Sequence, residues 1–182
     1  MYNVKPFFRP LRCFLYIFYH RLQHVKGAVY IGKNCQISKD LQAHEYVYIG
    51  TGCSIGPGVK LGAYTMLGPG VLFTGDDHLY DKPGVPIIFS GRPILRKTTI
   101  GKDVWIGTNS IIMAGVTIKD GSIIGAGAVV TKDIDECEIH IGIPNRKIKN
   151  RFNTDKEKQL HLEMINQPVS KGDFCGAKKM LD

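Results

Sequence analysis

Long apolar runs are missing from this 182-residue sequence. The most hydrophobic stretch, Phe7–Leu22, is broken by Arg9, Arg12, His20 and Arg21 and no small-residue cleavage site follows it, so it reads as neither a spanning helix nor a secretory leader. Cysteine is sparse: Cys13, Cys35, Cys53, Cys137 and Cys175 are odd in number and never approach CxxC spacing. Neither a disulfide framework nor a metal site is expected, and a reducing cytoplasm fits. Acidic residues are also short, 16 against 24 Lys+Arg for a net charge of +8. That balance favours anionic partners such as a phosphorylated cofactor or an anionic membrane surface. No DNA- or RNA-binding motif is present, so nucleic acid is not among the expected partners. The length suits one domain with short flanking elements and leaves no room for a second catalytic domain.

What the chain does have is a period. Stepping by six from Ile31 meets Ile37, Ala43, Ile49, Ile55, Leu61, Leu67 and Phe73, all apolar. Glycine follows five of them, and the residue four beyond each is usually small or β-branched, as in Cys35, Cys53, Val59 and Thr65. The comb returns at Ile94, Ile100, Ile106, Ile112, Ile118, Ile124 and Val130. A helix repeats its apolar face every three or four residues, so a period of six excludes one. Extended chain fits, because residues two apart share a face of a strand. Each hexad must then end in a bend, for which a following glycine offers the demanding dihedrals. Three hexads close a triangular coil, and stacked coils supply one another's backbone partners.

The two combs are out of phase, since Phe73 and Ile94 lie 21 positions apart. An inserted loop over about residues 74–93 accounts for the slip. Leu11, Phe14, Leu15, Phe18, Tyr19 and Leu22 recur at helical spacing, predicting an amphipathic helix within residues 1–28 whose aromatic face lies against the first coil or a membrane surface. The coils then occupy residues 29–149, and residues 150–182 hold a second helix, capped by Thr154 and stopped by Pro168, with a tail.

The comb resembles the hexapeptide-repeat family, all-β solenoids with left-handed parallel β-helices, an exception to the usual right-handed crossover. From Gly68 to Lys149 the elements VWIG, GAGAVVTKD and GIPxRxIK together resemble the galactoside, maltose and xenobiotic acetyltransferases and the sugar O-acetyltransferases of capsules and lipopolysaccharide. The resemblance implies acetyl-CoA as acyl donor. It places Trp105 beside the reaction centre, Gly107, Thr108 and Ala126 on the wall contacting pantetheine, and Thr131, Lys132, Arg146 and Lys149 at the polar end, where cations suit the CoA phosphates. It implies a catalytic role for His78 in the loop, and imidazole, with an ordinary pKa near ~6.5, is an apt proton acceptor at neutral pH. Asp76, Asp77 and Tyr80 flank it as candidates for orienting the ring or binding acceptor hydroxyls. Cys35 and Cys53 read as core packing, Cys137 as a minor candidate nucleophile, and His140 as a surface residue.

The function expected on this resemblance is acetyl transfer to a sugar hydroxyl by direct attack, in a homotrimer with active sites between subunits. N-acetylation of an amino sugar and O-acetylation of an antibiotic are variants of it. A γ-type carbonic anhydrase shares the fold but needs three zinc-binding histidines, and His78 has no H-x4-H partner downstream. A catalytically silent scaffold is the remaining alternative.

Overall fold

The computed structural model describes residues 8–22 and 24–172. The basic Lys5 and the end of the tail, Cys175 included, lie outside them. Between Val25 and Ile141 the comb becomes a solenoid of about six triangular coils, a left-handed parallel β-helix. Strand residues two apart on one face fill its axis: Val104 and Ile106, or Ala128 and Val130, are all essentially buried. Three parallel sheets form the walls, and each strand pairs with the one a full coil away. Thus Tyr30 lies beside Tyr48 and Thr99 beside Thr117, an offset of 18 residues, or three hexads. The first sheet runs from His24–Val25 to Thr117–Ile118, the second from Tyr30–Ile31 to Ile123–Ile124 and beyond, and the third from Gln36–Ile37 to Val129–Val130. Buried hydroxyls in the small slots bond across coils: Thr65 Oγ1 donates to Gly101 O at 2.7 Å, and Ser110 Oγ to Gly125 O at 3.0 Å.

Two details differ from the sequence reading. Where a corner takes left-handed backbone, it falls three residues after the aliphatic one, as at Asn34, Tyr46, Tyr64, Asp103 and Asn109 with φ between 50° and 66°, and at Gly52, Gly58 and Gly70. The glycine directly after the aliphatic residue has ordinary φ and serves another purpose, taken up below. The insertion also begins and ends later than expected. The chain leaves the lattice at the corner residue Asp76 (φ 56°) and rejoins it at Thr98, so that Lys60 pairs with Thr99 across an offset of 39. Ile94 is therefore no core residue; it stands in the loop, 93% exposed.

A helix, α1 (Phe8–Tyr19), closes the first coil. Cys13, Tyr16 and Ile17 face the coil, the Tyr16 hydroxyl donating to Cys35 O at 2.9 Å and Leu22 completing the seal. The aromatic face that the sequence pattern singled out points away from the coil: Leu11, Phe14, Leu15, Phe18 and Tyr19 are all more than half exposed. A second helix, α2 (Asp155–Asn166), starts at a capping box in which Glu157 N–H donates to Thr154 Oγ1 and Thr154 N–H to Glu157 Oε2. It runs back along the corner between the first and second sheets. Asp103 accepts from Arg151 at 2.7 Å and pairs with His161 at 2.9 Å, and Lys102 donates to Asn166 at 2.8 Å.

The last coil is closed by polar residues. His140 continues the stack of Ile106 and Ile124 and is only 8% exposed, not a surface residue. Its Nε2–H donates to Glu138 at 2.8 Å and its Nδ1 accepts from Asn145 Nδ2 at 2.9 Å. Burial acts to raise the Glu138 pKa, but hydrogen bonds from Lys147 and His140 outweigh it and hold the carboxyl below its usual range. A hexad aliphatic can be replaced by histidine here because the solenoid ends, and side chains take over the partners that a next coil would supply.

Candidate active site

Strand geometry sends every second residue outward, and on the second sheet these outward residues stack into an apolar ladder. Tyr30 and Tyr48 lie ring on ring, 4.6 Å apart, and Met66, Trp105 and Ile123 follow in register. Beside the ladder, the corner into the third sheet is built of Gly68–Pro69, Gly107–Thr108 and Gly125–Ala126, residues too small to fill the space. The result is a groove of about 470 Å³ with Trp105, Gly107, Thr108 and Ala126 all in its lining. Backbone dominates that wall: a Cβ on Gly107 would stand 2.5 Å from Ala126 N, so no larger residue fits between these coils. The sequence reading named four lining residues; Tyr48 and Met66, which lengthen the groove toward the first coils, were missed for want of a motif around them.

The charged residues assigned with them lie at the top of the solenoid. Thr131 N–H donates to Asn145 Oδ1 at 3.4 Å, which ties Thr131 to the turn before Arg146. The same turn accepts from Val129 N–H through Gly142 O at 3.1 Å and is held by His140 through Asn145. Arg146 and Lys149 follow on the strand Arg146–Asn150, and with Lys132 they are exposed.

His78 sits elsewhere, at the corner between the third and first sheets, two residues past the point where the loop leaves the lattice. Arg96 clamps the neck of that loop. Its backbone N–H donates to Asp76 Oδ2 at 3.0 Å and its guanidinium to both carboxylate oxygens, at 2.8 Å for Nη2 to Oδ1. These hydrogen bonds hold the Asp76 carboxyl below its ordinary range. Asp76 is thus paired with Arg96 at the loop's neck, and its carboxylate hydrogen bonds go to Arg96. Further out, Leu79 N–H donates to Gly91 O at 2.9 Å, and Ser90 Oγ donates to Leu79 O. His78 makes no hydrogen bond with another described residue, and both it and Tyr80 are exposed. Asp77 turns into a separate cleft of about 420 Å³ at the root of the loop, whose polar lining includes Gln36, Ser38, Ser54 and Thr98.

Cys137, weighed as a nucleophile, is 1% exposed beneath a corner, and its burial pushes the thiol pKa up. A buried, protonated thiol cannot attack a thioester.

This geometry agrees with what the chain resembles. Residues 97–132, within the more regular half of the lattice, match the family model described as bacterial transferase hexapeptide (six repeats). Galactoside O-acetyltransferase of Escherichia coli K12 is 40% identical over 94 residues, 46% of each chain. A chloramphenicol acetyltransferase of Klebsiella aerogenes is 49% identical over 67 residues, 37% of this chain and 31% of that one. The chain spans less than half the length of these curated relatives. Among solved structures, a maltose O-acetyltransferase from Clostridium difficile 630 superposes with a TM-score of 0.67 at 26% identity, over 84% of this chain and 80% of that one.

Proposed function

We propose that this protein is an acetyl-CoA-dependent acetyltransferase that acetylates a sugar hydroxyl. One observation carries the reading: the four residues expected to line a pantetheine wall, Trp105, Gly107, Thr108 and Ala126, border a single groove. Pantetheine is a thin chain with amides, and a wall of exposed backbone with an apolar floor suits it. Thr131, Lys132, Arg146 and Lys149 then meet the phosphates at the polar end. The cleft at the root of the loop offers amide, hydroxyl and carboxylate groups from Gln36, Ser38, Ser54 and Asp77, a set that matches the hydroxyls of a saccharide. The described cysteines are free thiols, which suits a cytoplasmic site. An assay for free thiol released from acetyl-CoA across sugars, amino sugars and chloramphenicol-like antibiotics tests this. Release only with amino sugars or antibiotics reassigns the acceptor, and none with any of them removes the function.

The active site belongs between subunits of a homotrimer. Within one chain His78 and the groove occupy different corners of the prism, with the third sheet between them. The loop also presents Ile87, Ile88 and Phe89, each more than half exposed, and the groove's floor exposes Met66 and Trp105, so both halves offer apolar surface to a neighbouring copy. His78→Ala and Ala126→Trp chains, each inactive alone, should therefore recover activity when refolded together. Random assortment into trimers leaves roughly a quarter of the sites with both intact halves. Mixed chains as inactive as either parent place the whole site in one subunit.

Arg146→Ala is expected to raise the KM for acetyl-CoA about tenfold or more, because a charge-assisted hydrogen bond contributes ~1.5–3 kcal/mol. The turnover number should change less, since this contact is remote from the reacting carbonyl. An unchanged KM in both Arg146→Ala and Lys132→Ala removes these residues from the cofactor site.

A further inference from the structure

Among the described residues the outer half of α1 has no partner. A capping helix needs one apolar face, and Cys13, Tyr16 and Ile17 already supply it. The opposite face carries Leu11, Phe14, Leu15, Phe18 and Tyr19 at 54–81% exposure, with the Phe14 and Phe18 rings stacked 6.5 Å apart. A solvated helix would carry polar residues there. The charge of this part of the sequence is equally one-sided. No aspartate or glutamate occurs before Asp40, whereas seven lysines and arginines lie between Lys5 and Lys39, accounting for nearly the whole net charge of +8.

From this pairing of an apolar face with an all-basic segment we infer that α1 is a peripheral membrane anchor, lying in the surface of an anionic bilayer at the closed end of the solenoid. Twelve residues make a helix of about 18 Å, too short to span a bilayer's hydrocarbon and suited to lying flat in its interface. Among the described residues no helix is long and apolar enough to cross a membrane. A second copy of the chain is the poorer occupant, because face-to-face packing of α1 brings together two segments that are basic in sequence, and like charges across an interface oppose association. Anionic headgroups supply the opposite charge, each nearby lysine or arginine adding to the attraction within a Debye length. The position also leaves the prism's sides, with the groove and the His78 loop, clear of the bilayer. The inference stands independently of the acyl-transfer reading.

The test is co-sedimentation of the full chain with vesicles of phosphatidylcholine alone and of phosphatidylcholine with phosphatidylglycerol, at low and high salt. Binding is expected to the anionic vesicles only, weakening as salt rises. The double variant Phe14→Ser, Phe18→Ser should lower that partition at least tenfold, and Arg21→Gln with Lys26→Gln should lower it and flatten its salt dependence. All four residues are exposed, so circular dichroism should show the fold intact in both variants. Equal binding to both vesicle types, no binding to either, or a partition unmoved by the phenylalanine changes overturns the inference. So does a fall in the light-scattering mass of the Phe14→Ser, Phe18→Ser variant without vesicles, which identifies the face as a contact between copies.

Discussion

Replacing His78 by alanine is expected to lower turnover by about 10²- to 10⁴-fold while acetyl-CoA binding stays near wild type, the range a positioned general base contributes. A sugar hydroxyl is a poor nucleophile at neutral pH, whereas a thioester is already activated, so the proton on the acceptor is what remains to be removed. On the proposed function, the acceptor's proton would pass to the imidazole as its hydroxyl oxygen bonds to the carbonyl carbon. Collapse of the tetrahedral adduct breaks the C–S bond, and the departing sulfur takes a proton to leave as the free thiol. A backbone N–H of the groove can stabilise the oxyanion, so no second catalytic side chain is required. The loop is suited to the task because its neck is fixed: Asp76 and Arg96 join with two guanidinium nitrogens and a backbone amide, while His78 just beyond is exposed. Cys137→Ala is the control. Its thiol is buried, so the variant should keep its activity and show no ping-pong kinetics. Near-full activity in His78→Ala, or a folded but dead Cys137→Ala, rules this mechanism out.

The lattice was legible because each inward position obeys one rule at one spacing; from Ile100 to Val130 every aliphatic slot is buried. The wall of the groove was legible too, since it is made of the same hexads. What failed to show in the pattern was whatever departs from periodicity. Ile94 kept the six-residue phase by coincidence and sits in the loop, because the true re-entry is set by the Asp76–Arg96 clamp and not by hydrophobicity. Helical spacing predicted α1, but both of its faces are apolar, and spacing alone cannot say which is buried. His140 was read as a surface residue because its partners, Glu138 and Asn145, come together only when the chain turns back on the last coil. Asp77, Gln36 and Ser54 share a cleft although up to 41 positions separate them, and nothing local joins them.

The glycine that directly follows many of the aliphatic residues leads to the second large effect: Gly62→Ala is expected to destabilise the fold far more than Gly52→Ala. At Gly52 the backbone is left-handed, with φ at 72°, and a Cβ would meet nothing within 4 Å. Alanine there bears only the intrinsic cost of that conformation, roughly 1–2 kcal/mol. At Gly62 φ is unexceptional, but a Cβ would stand 2.5 Å from the carbonyl carbon and oxygen of Gly101 on the next coil and 2.7 Å from Lys102 N. No flexible side chain is there to move aside. Gly62 N–H donates to Ile100 O at 2.8 Å, so the coils cannot part locally without losing the hydrogen bonds that stack them. Overpacking of this kind costs ~3 kcal/mol or more when the neighbour is fixed. For a chain of this size that lowers Tm by about 6–12 °C, against a few degrees for Gly52→Ala. Calorimetry on the two variants side by side distinguishes the roles. Equal losses, or a larger one at Gly52, show that the glycine after the aliphatic residue is retained for its dihedral freedom after all, and that coil spacing tolerates a methyl group.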